Sequence, residues 1–194
     1  MSIDALPQGR TSAGWLLALA MVGVAALLQP FPDLVVALQL DRQSWPEQPW
    51  RLFSAHLVHW RFAHLAGNAG ALLLLARLAG PRAPSPAWAL AGLLLCSATV
   101  VWLLPDLASY RGSSTLVAIY LVPAAATLWA GGGLRRGGAT ALLVLYVGRL
   151  VADAVGHWPS PLLPADVRST WELHLLGMSW GALGLLRNRP WIRR

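Results

Sequence analysis

The chain has 194 residues, 56% of them hydrophobic and only 12% charged, with a formal net charge of +7. A soluble domain carries about a quarter charged residues, so this composition excludes an ordinary soluble protein and points to the membrane. All 15 basic residues are arginine and sit in the gaps between apolar runs, forming no face of their own, which argues against nucleic acid as a partner.

Apolar runs long enough to cross a bilayer, roughly 17 to 20 residues each, fall near 12–30, 60–79, 86–104, 113–130, 139–156 and 170–187. The first has Asp4 and Arg10 before it and no clear small-x-small cleavage site, so it reads as a retained span and not a signal peptide. Residues 31–59 follow as an external loop rich in Trp and Pro that lies partly in the interface. Gly80-Pro81, Pro105-Asp106, Gly131-Gly132-Gly133 and Pro159-Ser160-Pro161 punctuate the later runs. The expectation is an all-α membrane protein, a six-helix bundle folded as one domain over 1–194.

Charge sets the orientation. One set of gaps holds Arg10, Arg77, Arg82, Arg135, Arg136, Arg187, Arg189, Arg193 and Arg194; the opposite set holds most of the carboxylates, including Asp33, Asp41, Glu47, Asp106, Asp166 and Glu172. Positive charge stays inside, so both termini are expected in the cytoplasm. Trp60, Trp102, Trp158 and Trp171 then fall near outer ends and Trp15, Trp88, Trp129 and Trp191 near inner ends, with Trp180 an exception inside the sixth run. Cys96, the only cysteine, lies in an apolar run and permits no internal disulfide.

Polar side chains inside spans are costly unless they face the bundle interior or a wet cavity. His64 and Asn68 are four apart on one face of the second run, in its outer half. Ser113 and Ser114 open the fourth run after Gly112, and His174 lies in the outer part of the sixth. Three runs thus bring a serine, a histidine and an amide–imidazole pair to one depth. The chemistry this permits is acyl transfer: His174 as the base that activates Ser114, with the Ser114 N–H at a helix N-terminus, the Asn68 amide and the His64 ring as oxyanion donors. Glu172 is on a different face from His174, which leaves a dyad and not a triad. A transporter fits less well, because the polar groups gather at one depth and trace no path across.

Plainer readings stand beside these. Ser114 is also a natural helix N-cap, and Ser113 competes as the reactive hydroxyl. His174 is open to bonding a backbone carbonyl, with His157 a weaker candidate base. His64 and Asn68 can hold the second helix to a neighbour. His56 and His59 read as loop-bonding groups; metal binding by His56, His59 and His64 lacks a nearby carboxylate or cysteine, so no metal or other cofactor is expected. Arg149, Asp153 and His157 form a stripe in which Arg149 and Asp153 pair, either as an interhelix clamp or to orient a substrate. Arg111 is placed to hold loop carbonyls or a lipid phosphate.

The spacing His59-x4-His64-x3-Asn68, then Gly112-x-Ser114, then His174-x2-Gly177-x3-Gly181 resembles the rhomboid intramembrane serine proteases, over most of the chain and in the same order. Tyr110-Arg111-Gly112 before the serine pair and Trp50-Arg51-Leu52 before His56 look like the rhombosortase branch. The resemblance implies a six-span rhomboid fold in the bacterial inner membrane, opening toward the periplasm. It implies Ser114 as nucleophile, His174 as base, His64, Asn68 and Gly112 about the oxyanion and substrate, and His59 as structural. Gly177 and Gly181 would let the sixth helix pack on the fourth, with Gly184 extending the stripe. The implied substrates are exported proteins anchored by a C-terminal transmembrane helix, preceded by Gly-Gly and followed by a basic tail; the alternative is a non-catalytic relative that only binds transmembrane helices. One residue departs from the pattern: Thr115 stands where the family has glycine, and a β-branched side chain fills space between close helices.

Overall fold

The computed structural model describes residues 13–156 and 160–187. Arg10, His157, Trp158, Trp191 and the arginines at 189, 193 and 194 lie outside the described residues. The chain is mostly helical. In order come α1 (Ala13–Leu28), α2 (Pro32–Leu38), β1 (Leu40–Asp41), α3 (Arg51–Ser54, continued by a tight turn Ala55–Leu57), α4 (Phe62–Ala79), α5 (Pro86–Leu103), β2 (Ser109–Tyr110), α6 (Ser114–Ala130), α7 (Gly133–Ala154) and α8 (Trp171–Arg187).

Among the described residues, three helical stretches are long and apolar enough to cross a membrane, Phe62–Arg82, Pro86–Leu103 and Gly133–Ala154. Ala13–Leu28 and Ser114–Ala130 are apolar but shorter. α8 has 17 residues and carries Glu172, His174 and Arg187 among its apolar ones. The helices follow the apolar runs within a few residues, except that α7 begins at Gly133 and not near 139. Gly132 and Gly133 turn the chain with positive φ of 69° and 47°, and the helix then starts at once through the polar stretch Arg135–Gly138. Hydropathy does not register such a polar first turn.

α6 is the centre of the packing. Its residues Thr115 to Leu121 are all buried, and it contacts α4, α7 and α8. It carries no charged side chain, and a helix apolar on every side is stable only when surrounded. α8 lies against α6 through glycines. A Cβ built on Gly177 would come 2.6 Å from the Thr115 carbonyl oxygen, and one on Gly181 would meet the Ile119 carbonyl. Gly184 serves a different neighbour from the one its spacing suggests: its missing side chain makes room for Trp88 of α5. Trp88 and Trp180 stack with centroids 4.4 Å apart, and each indole N–H donates to the other's carbonyl at 3.3 and 2.9 Å. That pairing accounts for a tryptophan in the middle of α8.

The chain is not purely α. β1 and β2 form an antiparallel pair with Leu40 opposite Tyr110 and Asp41 opposite Ser109. Strands of two residues are too short to show alternation in a sequence. Their effect is to fasten the segment before α6 to the long segment between α1 and α4.

Candidate active site

Ser114 is the first residue of α6 and His174 lies in the first turn of α8. The Ser114 Oγ is 2.8 Å from His174 Nε2, across 60 residues of chain. With Nε2 unprotonated, the serine hydroxyl donates and the ring is set to receive its proton. The close approach of α6 and α8 at Gly177, one turn beyond His174, makes this distance possible. Thr115 does not prevent it: its side chain is fully buried and its hydroxyl is 3.3 Å from the Tyr110 hydroxyl, while the room between helices comes from the glycines on α8.

The turn before Ser114 is held at nearly every polar atom. The Gly112 carbonyl accepts from Tyr110 Oη at 2.5 Å and from His56 Nδ1 at 3.1 Å. A carbonyl only accepts, so His56 carries its proton on Nδ1, and Nε2 takes the Ser97 hydroxyl at 2.8 Å. The Gly112 N–H donates to the Ala55 carbonyl at 2.9 Å. On the other side of the same peptide, the Ser113 N–H donates to His59 Nε2 at 3.2 Å, with the Ser113 hydroxyl also 3.2 Å from that nitrogen. Ser113 is therefore engaged away from His174. His59 is itself held by Gln29, whose side-chain amide bonds both the N–H and the carbonyl of residue 59 at 3.2 and 3.3 Å. Both rings are fully buried, and loss of hydration lowers their pKa from 6.5 to about 4 for His56 and about 3 for His59. Burial favours the neutral form of both, and the Ser113 N–H donating to His59 Nε2 requires it of His59.

Gly112 has φ of 135°, in the region that favours glycine. A Cβ there would fall 2.9 Å from the His64 ring and 3.4 Å from the Asn68 amide nitrogen. The Asn68 amide donates to His64 Nε2 at 3.1 Å. That uses one of its two N–H groups. His64 and His59 meet edge to face at 5.1 Å, and the Nδ1 of each is buried without a hydrogen-bond partner. The bonded ring nitrogens of His56, His59 and His64 thus serve different partners.

Ser114, His174, His64 and Asn68 line one cavity of about 150 Å³. Arg149 and Asp153 line it from α7, with an ion pair of 2.6 Å. Asp153 also accepts from the Ser169 hydroxyl at 2.9 Å, which ties α7 to the segment before α8. Glu172 pairs with Arg168. Arg111 bonds no loop carbonyl; its Nε donates to the Gln39 side chain at 2.7 Å and its guanidinium lies 4.5 Å from the Trp60 ring centre.

Sequence pattern alone does not single out Ser97, Gln29 or Tyr146. The first two are single uncharged polar residues with no spacing to a partner. Tyr146 had a signal: it sits three residues before Arg149 and seven before Asp153, on the same face, and it lines the cavity beside His174 with ring centres 6.3 Å apart.

Compared with known proteins, the chain matches no family model and no curated protein.

Proposed function

We propose that the chain is an intramembrane serine endopeptidase of the rhomboid type. The observation that carries this reading is the 2.8 Å contact between Ser114 Oγ and His174 Nε2 at the wall of a cavity, made by residues from two helices of an apolar, mostly helical chain. In this reading α1, α4, α5, α6, α7 and α8 are six spans, with both termini in the cytoplasm of a bacterium and the cavity open to the periplasm. The arginine distribution supports that orientation.

The chemistry follows from the atoms present. Ser114 Oγ attacks a peptide carbonyl carbon as His174 Nε2 takes the hydroxyl proton. The carbonyl oxygen becomes an oxyanion, for which the second Asn68 N–H and the Ser114 N–H are the candidate donors. Collapse breaks the C–N bond, and His174 returns its proton to the leaving amine. Water, or another acceptor, then releases the acyl group. Substrates are proteins anchored by a C-terminal helix, of the rhombosortase kind with Gly-Gly beside the anchor. Glycine costs roughly 1 kcal/mol more than alanine in a helix, so the chain opens into an extended form most readily there.

A fluorophosphonate probe on the membrane-embedded protein tests the reading. Labelling is expected, Ser114→Ala is expected to abolish it, and the same variant is expected to stop release of a co-expressed Gly-Gly-tailed reporter. Labelling that survives in Ser114→Ala removes this nucleophile. No labelling of the native chain, with intact binding of the reporter, favours the non-catalytic relative.

A further inference from the structure

The charges around the cavity do not balance evenly. Three arginines line it: Arg111, Arg149 and Arg168. Arg149 is paired with Asp153 at 2.6 Å, and Arg168 with Glu172. Arg111 has no carboxylate partner among the described residues. What holds it is neutral. Gln39 accepts from Nε, and the Trp60 ring supports the guanidinium at 4.5 Å. Both partners come from the outer segment, so the side chain is fixed in place before anything binds. It is half-buried, and the loss of hydration lowers its pKa. A guanidinium that is partly desolvated, pre-oriented and unneutralised, at the edge of a cavity, is built to take an anion.

Arg111 lies three residues before Ser114. Three residues of chain span at most about 10 Å. A substrate chain whose carbonyl lies at Ser114 therefore brings a residue two or three positions away to the guanidinium. Arg111 follows β2, which is paired to the outer segment, so that residue belongs to the substrate on its outer side.

We propose that Arg111 is a specificity-determining residue that recognises an acidic side chain, Asp or Glu, two or three positions to the outer, soluble side of the cleaved bond. This rests on the protease reading and names a substrate feature that the reading leaves open. A lipid phosphate offers the same charge. The peptide carboxylate is favoured because Arg111 shares a cavity with Ser114 and His174, and because Trp60, which carries the guanidinium, lines that cavity too.

The test uses the full chain in cells, with reporters carrying a Gly-Gly-tailed anchor and Asp, Asn or Lys two or three residues outward of the cut. Cleavage of the Asp reporter is expected to exceed that of Asn roughly ten-fold, the scale of one charge-assisted hydrogen bond, with Lys lower still. Arg111→Glu is expected to reverse the order in favour of Lys. Arg111→Gln is expected to level it, with fluorophosphonate labelling of Ser114 serving as the check that either variant is folded. If the native chain cuts the three reporters at equal rates in a Ser114-dependent way, the proposal is overturned while the protease reading stands. If purified protein in vesicles shows labelling that follows phosphatidylglycerol content in the native chain but not in Arg111→Gln, and no reporter preference, Arg111 belongs to lipid and the proposal is likewise overturned. Absence of labelling in the native chain overturns both.

Discussion

Replacing Gly177 with alanine adds one methyl group at the place where α8 touches the backbone of α6. Its Cβ would stand 2.6 Å from the Thr115 carbonyl oxygen and 3.0 Å from the Ala118 Cβ, where ordinary contact begins near 3.4 Å. The atom it meets first is main chain inside a helix, so it cannot rotate aside. Relief requires the helices to part by about 0.8 Å, which is 3.4 Å less 2.6 Å. His174 is one turn away on the same helix. Added to the 2.8 Å between Ser114 Oγ and His174 Nε2, a shift of that size gives about 3.6 Å, beyond a working hydrogen bond. The overpacked helix pair should lose about 1–3 kcal/mol of stability. The dyad should lose its fluorophosphonate labelling rate by on the order of a hundred-fold, the scale of a positioned general base. Thr115→Gly should not rescue it, because the first clash is with the carbonyl oxygen and not with the threonine side chain. Made alone, Thr115→Gly should instead lower the melting temperature, since it removes a fully buried side chain and its contact with Tyr110. The measurements are labelling rate and thermal unfolding in detergent micelles. A Gly177→Ala protein that labels at the native rate refutes this account of how the two residues are held together.

Gly112→Ala should disable the protein by a different route: the new methyl falls in the space of the His64 ring, at a φ of 135° that alanine rarely adopts, so labelling should fall by at least ten-fold and the melting temperature should drop. Acid should destabilise the fold below pH 6.5. The unfolded chain binds protons at His56 and His59 from that pH down, whereas the folded rings stay neutral until about 4 and about 3. Stability is therefore level above pH 6.5, and each ring removes up to about 1.4 kcal/mol per unit as the pH falls toward 4. His56→Asn and His59→Asn should each flatten the pH dependence of chemical denaturation, and an unchanged slope in both would mean the rings are not buried neutral.

The polar residues of the site were legible in the sequence because an apolar chain leaves them conspicuous. His64, Asn68, Ser114 and His174 stand in runs made mostly of apolar residues, and apolar helices that carry such polar groups bury them by turning them toward each other. The spacing of Gly177 and Gly181 marked a close helix contact for the same reason. Other features left no such trace. Ser97 is one more small residue in α5 until His56, from the segment between α1 and α4, reaches it. Tyr110 and Thr115 meet through hydroxyls that no periodicity relates. Gly184 belongs to the same stripe as Gly177 by spacing, yet it serves Trp88 on another helix, because the direction of a stripe is set by which neighbour lies beside it. The two-residue strands are a product of tertiary contact, not of propensity.

His56 and His59 show why the long segment between α1 and α4 is needed. A serine at the start of a helix has a free backbone N–H and an exposed hydroxyl, but the turn before it is ordinarily mobile. Here the peptide joining Gly112 to Ser113 is held by its oxygen, through Tyr110 and His56, and by its nitrogen, through His59. A peptide unit is planar, so fixing both ends fixes that plane; the next peptide, which carries the Ser114 N–H, is held by its own oxygen, the Ser113 carbonyl accepting from the Val117 N–H at 3.1 Å. His56 is anchored in turn to Ser97 of α5, and His59 to Gln29 just after α1. The turn that leads into Ser114 is thereby tied to elements that take no part in the dyad. A donor fixed this way needs no reorganisation when charge develops on a substrate oxygen, which is where the catalytic advantage of such a site arises. On the protease reading, loss of either histidine should therefore lower the rate of reporter cleavage more than it weakens binding of the reporter.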